Sequence, residues 1–475
     1  MEAAAPISCP ECQRLQAQLE AQRVQLESLQ AAVDRLEQRL ASAHKDSSTS
    51  SKPPSSDIVK PPKPASTASE TPRSIGGQPG HPKHERAPFG LEQVTSPFVH
   101  PLDHCPCCGG QLRLNGGFAR VVQQIDILQP PWTIEQHTCP EYWCVHCEKA
   151  YKAPMPEHIE KGGLVGPRLT ALIAYLKGVC HASYSTVRKY LRDIVGLTIS
   201  RGQVANVIAK VSEAMEQAYE QLLHDLPGQT ALNVDETSHN DQGDRMWIWC
   251  FRADLYTLFK IDPTRSGDVL IKVLGEEFDG VLGCDCYSAY RRYMREFDVR
   301  LQFCLAHLIR EVKYLTTLPD KATRSYGERF REALRRLFQV IHKRDEIPQA
   351  VFRSQLEAAR KDVMRQATQD VPASKGAKNL ALRMQKYGDS YFRFITTADV
   401  QPTNNVAEQA IRFVVIDRHI TQGTRGEKGQ RWSERIWTVI ATCSQQGRSV
   451  WDYLQATVQA YFTGGEAPTL LPAQV

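Results

Sequence analysis

Three acidic residues stand where carboxylates are suited to hold metal ions. Asp235 ends the apolar run TALNVD, Asp285 ends the run GVLGCD, and Glu408 follows the amides of QPTNNVAE at the start of a helical pattern. The two apolar runs predict strands, which places each aspartate at a strand end. Two such aspartates and a helical glutamate suit a pair of divalent cations, magnesium or manganese. Paired cations activate a water or hydroxyl and stabilise the leaving oxygen of a phosphodiester.

The acid next to Asp235 is not assigned to this site. Side chains alternate along an extended strand, so Asp235 and Glu236 are predicted to point to opposite sides of the sheet. Asp235 continues the odd-numbered series of Ala231 and Asn233, and we therefore assign Asp235 to the shared site.

Glu408 also has a local interpretation. Asn405 followed three residues later by Glu408 is close to the capping-box pattern of a helix start. If the glutamate is catalytic, Thr403 or Asn404 is the expected cap instead. Arg412, one turn further on, either pairs with Glu408 as an i,i+4 neighbour, which we favour, or contacts a DNA phosphate.

Cysteines form a second set of candidate ligands. Two C-x-x-C pairs, Cys105 with Cys108 and Cys144 with Cys147, supply four thiolates for a tetrahedral structural zinc ion. Other possible ligands are left unassigned: His104, Cys107, Cys139, His146, and the isolated pair Cys9 and Cys12. For the C-x-x-H motif of Cys304 and His307, we favour packing beside the acids over a metal role.

Length and composition limit the class of protein that carries these residues. A chain of 475 residues with 41% hydrophobic content predicts several domains with a sizeable core. No run approaches the roughly 18 apolar residues of a membrane span, and the N-terminal sequence lacks a signal-peptide pattern. We therefore expect a soluble cytoplasmic protein. The net charge of +5 permits a nucleic-acid partner without requiring one.

The N-terminal third predicts three segments with different roles. Residues 1–46 contain a seam of mainly leucines from Leu15 to Leu40, spaced by four and three, which is typical of a dimerising coiled coil. Residues 47–88 are rich in Ser, Pro and Lys and predict a disordered linker. Residues 89–155 hold the paired cysteines and predict a small zinc-binding domain.

The rest of the chain is predicted to form a helical region and an α/β core. Residues 160–226 have the outline of a helix-turn-helix, with a break at Gly196 and Ser200 as a cap, although two ordinary core helices explain the pattern equally well. Phosphate contacts are expected from Arg188, Lys189, Arg201 and Lys210. The core spans residues 227–425 with a helical insertion at about 316–395, and residues 426–475 form a C-terminal helical region.

Several motifs together resemble one family of mobile-element enzymes. The segments NVDET, GVLGCDCYSAY, CLAHLIREVKYL and PTNNVAEQAIR occur in this order and are similar to the catalytic core of DDE transposases of the insertion-sequence 66 family. The coiled coil, the GGQPGH that ends the linker, the cysteine knuckles and TVIATCSQQGRSVWDYL extend the resemblance to nearly the whole chain. The resemblance implies Asp235, Asp285 and Glu408 as the catalytic acids and a ribonuclease-H-like fold, a mixed sheet with flanking helices.

The resemblance also implies what the protein does. It predicts metal-dependent cleavage of DNA at the ends of an insertion sequence and strand transfer into target DNA, by a nucleoid-associated protein. Expected partners are the terminal inverted repeats, the target DNA, a second copy of the chain and accessory proteins of the same element. An inactive DNA-binding protein, or a nuclease that hydrolyses without strand transfer, is the alternative function.

Overall fold

The computed structural model describes residues 10–43, 90–94, 97, 107–109, 111, 121, 132–144, 146 and 148–472. These residues divide into two compact units, one between Pro62 and Gln136 and the other comprising all the rest. In the first unit, the backbone N–H of Gly90 donates to the side chain of Gln93 and closes a short 3-10 turn. Within the described ranges, no helix is long and apolar enough to cross a membrane.

The second unit begins with one long helix, α1 (Pro10–Ala43). Its predicted seam is exposed to solvent, with Leu15 55% and Leu26 70% accessible. Leucines at this spacing favour pairing with another helix, because a solvated stripe of this kind is costly for a helix on its own.

A hairpin and five helices precede the main sheet. The antiparallel hairpin consists of β1 (Glu141–Cys144) and β2 (Lys149–Lys152). The helices are α2 (Glu157–Gly162), α3 (Pro167–Gly178), α4 (Tyr184–Tyr190), α5 (Arg201–Ala214) and α6 (Glu216–Asp225). A π-helical turn continues α4 and ends at Gly196, whose φ of 72° favours glycine. Ser200 then caps α5 by accepting a hydrogen bond from the Gln203 backbone at 3.1 Å.

The main sheet has five strands in the order β5-β4-β3-β6-β7. They are β3 (Ala231–Asp241), β4 (Asp244–Arg252), β5 (Thr257–Asp262), β6 (Val281–Cys284) and β7 (Arg300–Phe303). The first three strands form an antiparallel meander, whereas β6 runs parallel to β3 and β7 runs parallel to β6. The carboxyl ends of β6 and β7 therefore lie at one edge of the sheet, beside the middle of β3. The predicted α/β core with a mixed sheet is confirmed.

Helices cover both faces of this sheet. On one face lie α14 (Asn405–Thr421) and α15 (Glu427–Gln445), where Trp437 packs edge-on against Phe259 of β5. On the other face lies α8 (Ser288–Phe297), whose Tyr290 contacts Trp249 of β4. Between β5 and β6 the chain forms α7 (Asp268–Leu274).

A helical insertion separates the last strand from α14. It follows α9 (Leu305–Leu315) and contains α10 (Lys321–His342), α11 (Gln349–Thr368), α12 (Lys375–Tyr391) and α13 (Arg393–Thr396). The hydroxyl of Tyr326 in α10 donates to the Ala367 carbonyl of α11 at 2.6 Å, which ties these helices together. The final helix, α16 (Val450–Thr463), packs back against α3. The C-terminal helices thus join the early helices to the sheet.

Candidate active site

Strand β3 presents Asp235 and Glu236 to opposite faces of the sheet. The odd-numbered side chains point toward α14: Asn233 donates to Asn404 at 2.8 Å, and Thr237 accepts from Arg418 at 3.0 Å. Glu236 points the other way and is paired there. The strand alternation therefore leaves Asp235, and not Glu236, on the α14 side.

Glu236 is held by two partners on its own face. The guanidinium of Arg265 lies 2.6 Å from its carboxylate, and the hydroxyl of Tyr290 donates to it as well. Only 1% of the Glu236 side chain is exposed, so this acid is a buried, fully paired group.

Asp285 follows the last residue of β6, next to β3. Its Oδ1 accepts a hydrogen bond from the backbone N–H of Tyr287 at 2.9 Å, which orients the carboxylate at the strand end. Gly283, two residues earlier, allows a close approach, because a Cβ there would lie 2.5 Å from the amide nitrogen of Asn233. That amide is the group that reaches Asn404.

Glu408 lies in the first turn of α14 and does not cap it. The helix begins at Asn405, which excludes the alternative interpretation of a capping box formed by Asn405 and Glu408. Asn404 occupies the N-cap position but makes no side-chain cap; its amide donates instead to the Val234 carbonyl of β3 at 2.8 Å. The carboxylate of Glu408 instead lies 3.3 Å from Arg310 and 3.6 Å from His307, both in α9.

The charges of the two other acids act on Asp235. Burial raises the pKa of Asp235 well above its ordinary value, and the negative charges of Glu236, Asp285 and Glu408 raise it further. Burial and Glu236 raise the pKa of Asp285 to about 6, against the opposing effects of the Tyr287 N–H, His307 and Arg265. Carboxylates that repel one another in a buried site are suited to bind a divalent cation, whose charge offsets the repulsion.

The chemistry of these donors suits a divalent cation. Glu408 Oε1 is buried and has no hydrogen-bond partner in the described part of the chain, and Asp235 and Asp285 would add further hard oxygen donors. Among the described residues, however, ligand atoms of the three acids do not all lie within 4.8 Å of one another. Sequence reasoning missed three contacts around these acids: Arg310 with Glu408, Arg265 with Glu236, and the bonds of Asn404 to β3. The paired amides in PTNN were a usable signal for Asn404, whereas Arg310 and Arg265 had none.

The pKa shifts predict how stability depends on pH. Folding favours protonated Asp285, because its pKa rises from 3.8 to about 6, so this stabilisation is complete below 3.8 and is lost as pH rises through about 6. Without divalent cations, Asp285→Asn should therefore gain stability relative to the parent chain across this interval. Urea unfolding of both proteins tests this, and added Mg²⁺ should remove the difference. A stability difference that does not change with pH would contradict it.

Comparison with known proteins places this chain in a family. A family profile described as "Transposase IS66 family" matches residues 162–431, which is more than half of the chain. The chain belongs to the IS66 transposase family. The matched segment contains Asp235, Asp285 and Glu408, and the resemblance deduced from the motifs is confirmed.

Other comparisons concern the N-terminal part and whole relatives of this IS66 family member. The zinc-finger binding domain of transposase IS66 matches residues 103–148, which supports a structural zinc ion there, and a family of unknown function matches residues 5–87. Uncharacterized protein y4qI of Sinorhizobium fredii is 23% identical over 443 residues, 85% of this chain and 80% of that protein. Uncharacterized protein y4hP of the same organism is 21% identical over 380 residues, 73% of this chain and 68% of that protein.

The cysteines predicted to hold zinc in this IS66 transposase lie largely outside the described residues. Cys105 and Cys147 are among the residues not described, and of Cys144 only the backbone, at the end of β1, is described. Cys108 is exposed. The four-thiolate zinc site therefore stays a prediction for these individual residues.

The residues predicted to contact DNA differ in their surroundings. Arg188 and Lys189 line a cavity of about 200 Å³, together with Ser185, Arg192, Thr198 and Ile199. Arg201 is exposed at the start of α5. The ammonium of Lys210 instead donates to the Lys161 carbonyl.

Arg412 is the remaining predicted DNA contact. It is exposed, and the ion pairs of the described residues join Glu408 to Arg310 and His307 rather than to Arg412. The favoured i,i+4 pair is therefore wrong, because Glu408 turns toward α9.

Proposed function

We propose that this protein is a DDE-type transposase that cuts the DNA backbone at the ends of its insertion sequence and joins those ends to target DNA. The supporting observation is that Asp285, at the end of the strand parallel to β3, and Glu408, in α14, lie close enough to Asp235 for their charges to raise its pKa. The meander followed by two parallel strands also supports assigning the core to the ribonuclease-H-like fold.

Asp235, Asp285 and Glu408 would hold magnesium or manganese. When bound, such ions activate the attacking oxygen and stabilise the leaving oxygen of a phosphodiester. The chain itself supplies orientation. The Tyr287 N–H fixes the Asp285 carboxylate, and the bonds of Asn404 to β3 fix the start of the helix that carries Glu408.

Positive charge near the acids has a separate role. Arg310 lies 3.3 Å from Glu408 Oε2 and neutralises part of its charge, while Arg265 pairs with Glu236 and lowers the pKa of Asp285. Both arginines thereby reduce the repulsion among buried carboxylates. The cavity lined by Arg188, Lys189 and Arg192 adds a basic surface suited to the DNA backbone, distinct from the acids.

The direct test of this function separates cutting from joining. Purified protein is incubated with Mg²⁺, DNA carrying candidate element ends and a supercoiled target, and cleaved and joined products are scored separately. Both products are expected. Cleavage without joining would identify a hydrolytic nuclease, and binding of the ends without cleavage would identify an inactive DNA-binding protein.

Loss of the cysteine pairs is expected to remove one zinc ion per chain. Thiolates at this spacing close a tetrahedral site, so Cys105→Ser combined with Cys144→Ser should contain about one zinc less than the parent chain. Elemental analysis after purification without chelators measures the difference. Cys180→Ser, which changes an exposed cysteine of the helical region, is the control and should keep its zinc. Equal zinc content in the double variant and the parent would contradict the site.

Self-association is expected to depend on α1. The exposed leucines of this helix are the surface that a second copy would cover in a coiled coil. Light scattering on a chain that starts at Ser47 should report fewer copies per particle than on the full chain. A matched control replaces Glu20 and Ser28, which lie on the face of the helix away from the seam, by Ala and should leave the assembly unchanged. Equal assemblies for the shortened and full chains would exclude pairing through α1.

A further inference from the structure

The two residues of the C-x-x-H motif, Cys304 and His307, lie next to Glu408, one of the three acids. Cys304 is the N-cap residue of α9, and His307 lies one turn further on, on the same side of the helix. One ligand atom from each of Cys304, His307 and Glu408 lies within 4.8 Å of the other two. Among the described residues, no other group of three or more His, Cys, Asp and Glu side chains brings its ligand atoms this close together.

Two atoms of this cluster are buried and unpartnered. His307 Nδ1 and Glu408 Oε1 are 3.6 Å apart, too far for a hydrogen bond, and neither has another hydrogen-bond partner among the described residues. Two ligand atoms bound to one tetrahedral zinc ion lie about 3.3 Å apart, given bonds of about 2.0 Å. Their separation is therefore close to the spacing that a shared zinc ion requires.

Hydrogen bonds hold the sulfur of Cys304 and its backbone in place, which suits this sulfur as the third ligand. It accepts a hydrogen bond from the backbone N–H of Asn404 at 3.1 Å, and bonds of this kind stabilise a metal-bound thiolate. The backbone around it is fixed on both sides, because Cys304 N donates to Cys284 O at 2.8 Å and Leu305 N donates to Pro402 O at 3.0 Å. Little rearrangement is needed for the two helix starts to share an ion.

The chemistry of these ligands differs from that of the acid site. A thiolate and an imidazole favour zinc over magnesium, which prefers oxygen ligands. Arg310, 3.3 Å from the other oxygen of Glu408, opposes a cation here, whereas the nearby carboxylate of Asp285 favours one. Glu408 is common to both sets, so its use by one metal removes it from the other.

We propose that Cys304, His307 and Glu408 form a zinc site that inhibits the enzyme by withdrawing Glu408 from the catalytic cations. The binding site stands on its own geometry, and its inhibitory effect rests on the proposed function. Zinc is expected to inhibit at concentrations far below those of Mg²⁺, and excess Mg²⁺ is expected to relieve the inhibition.

The first experiment measures zinc binding without any activity. The full chain and Cys304→Ser are equilibrated with buffered free Zn²⁺ and desalted, and bound zinc is released into a chromophoric indicator. Serine suits the N-cap position and can accept the Asn404 hydrogen bond but does not ligate zinc, so this variant should bind about one zinc ion less. Cys180→Ser, an exposed cysteine outside the cluster, should match the parent. Equal zinc in Cys304→Ser and the parent would overturn the site.

A second variant guards against misfolding, and a second readout tests inhibition. If circular dichroism shows that Cys304→Ser is unfolded, His307→Gln replaces it in the same comparison. In the cleavage assay, each protein is compared with its own rate without zinc, and Cys304→Ser should need at least about tenfold more Zn²⁺ for half inhibition. Equal sensitivity would overturn the inhibitory role. A chain that never cleaves DNA would refute the proposed function, while zinc stoichiometry would still decide the site.

Discussion

Asp235→Asn is expected to reduce DNA cleavage by about a thousandfold or more. The amide keeps the size of the carboxylate but removes the charge that holds a divalent cation between neighbouring acids. Asp285→Asn and Glu408→Gln should have effects of the same order, and double variants should be little worse than single ones, as for parts of one catalytic unit. Single-turnover cleavage of pre-bound DNA measures these rates, and DNA binding should persist because a negative charge near the phosphates has been removed.

Matched controls distinguish the site from its surroundings. Glu236→Gln changes the acid on the opposite face of the same strand and should keep cleavage within about tenfold of the parent in saturating Mg²⁺. Glu311→Gln changes a glutamate of α9 that pairs with Arg383 instead of facing Glu408, and it should behave similarly. A folded, DNA-binding Glu408→Gln that cuts at near the parent rate would remove Glu408 from the catalytic set and the three-acid site with it.

The positions of the acids and the strands of the sheet could be predicted from the sequence, because both follow from the local pattern of apolar and polar residues. Alternation along β3 separates Asp235 from Glu236, and an apolar run that ends in one acid marks the carboxyl end of β6. The insertion of α10 to α13 also follows the long helical pattern before Glu408. Each of these features is encoded by residues close together in the chain.

The partners of the acids could not be predicted from the sequence, because they come from segments far away along the chain. Arg310 meets Glu408 across 98 positions, and Asn404 meets β3 across 170. The capping-box and i,i+4 patterns favoured Asn405 or Arg412 as partners of Glu408, because these patterns consider only residues of the same helix. Tertiary contacts override those preferences here, because Glu408 pairs with Arg310 of α9 and Asn404 donates to the Val234 carbonyl of β3.

Arg265→Met is expected to lower the free energy of unfolding by about 3 kcal/mol, because it leaves the buried carboxylate of Glu236 without its cation. This value is at the low end for breaking a buried pair, since 33% of the Arg265 side chain is exposed and Tyr290 still donates to Glu236. Methionine keeps the apolar stem of Arg265 but loses the guanidinium, whose central carbon lies 3.9 Å from the centre of the Tyr287 ring. Urea unfolding in saturating Mg²⁺ measures the loss.

The double variant decides whether unpaired charge is the cause. Adding Glu236→Gln to Arg265→Met removes the stranded carboxylate while keeping an acceptor for Tyr290, so it should recover about 1 to 2 kcal/mol of the loss. A recovery of stability would show that the unpaired charge of Glu236, and not the lost packing of Arg265, destabilises the single variant. If the double variant is no more stable than Arg265→Met, packing over Tyr287 is the role of Arg265. If the double variant recovers stability, the role of Arg265 is to neutralise the buried carboxylate of Glu236 near Asp235 and Asp285. The pKa of Asp285 should then fall when Glu236 is replaced by Gln.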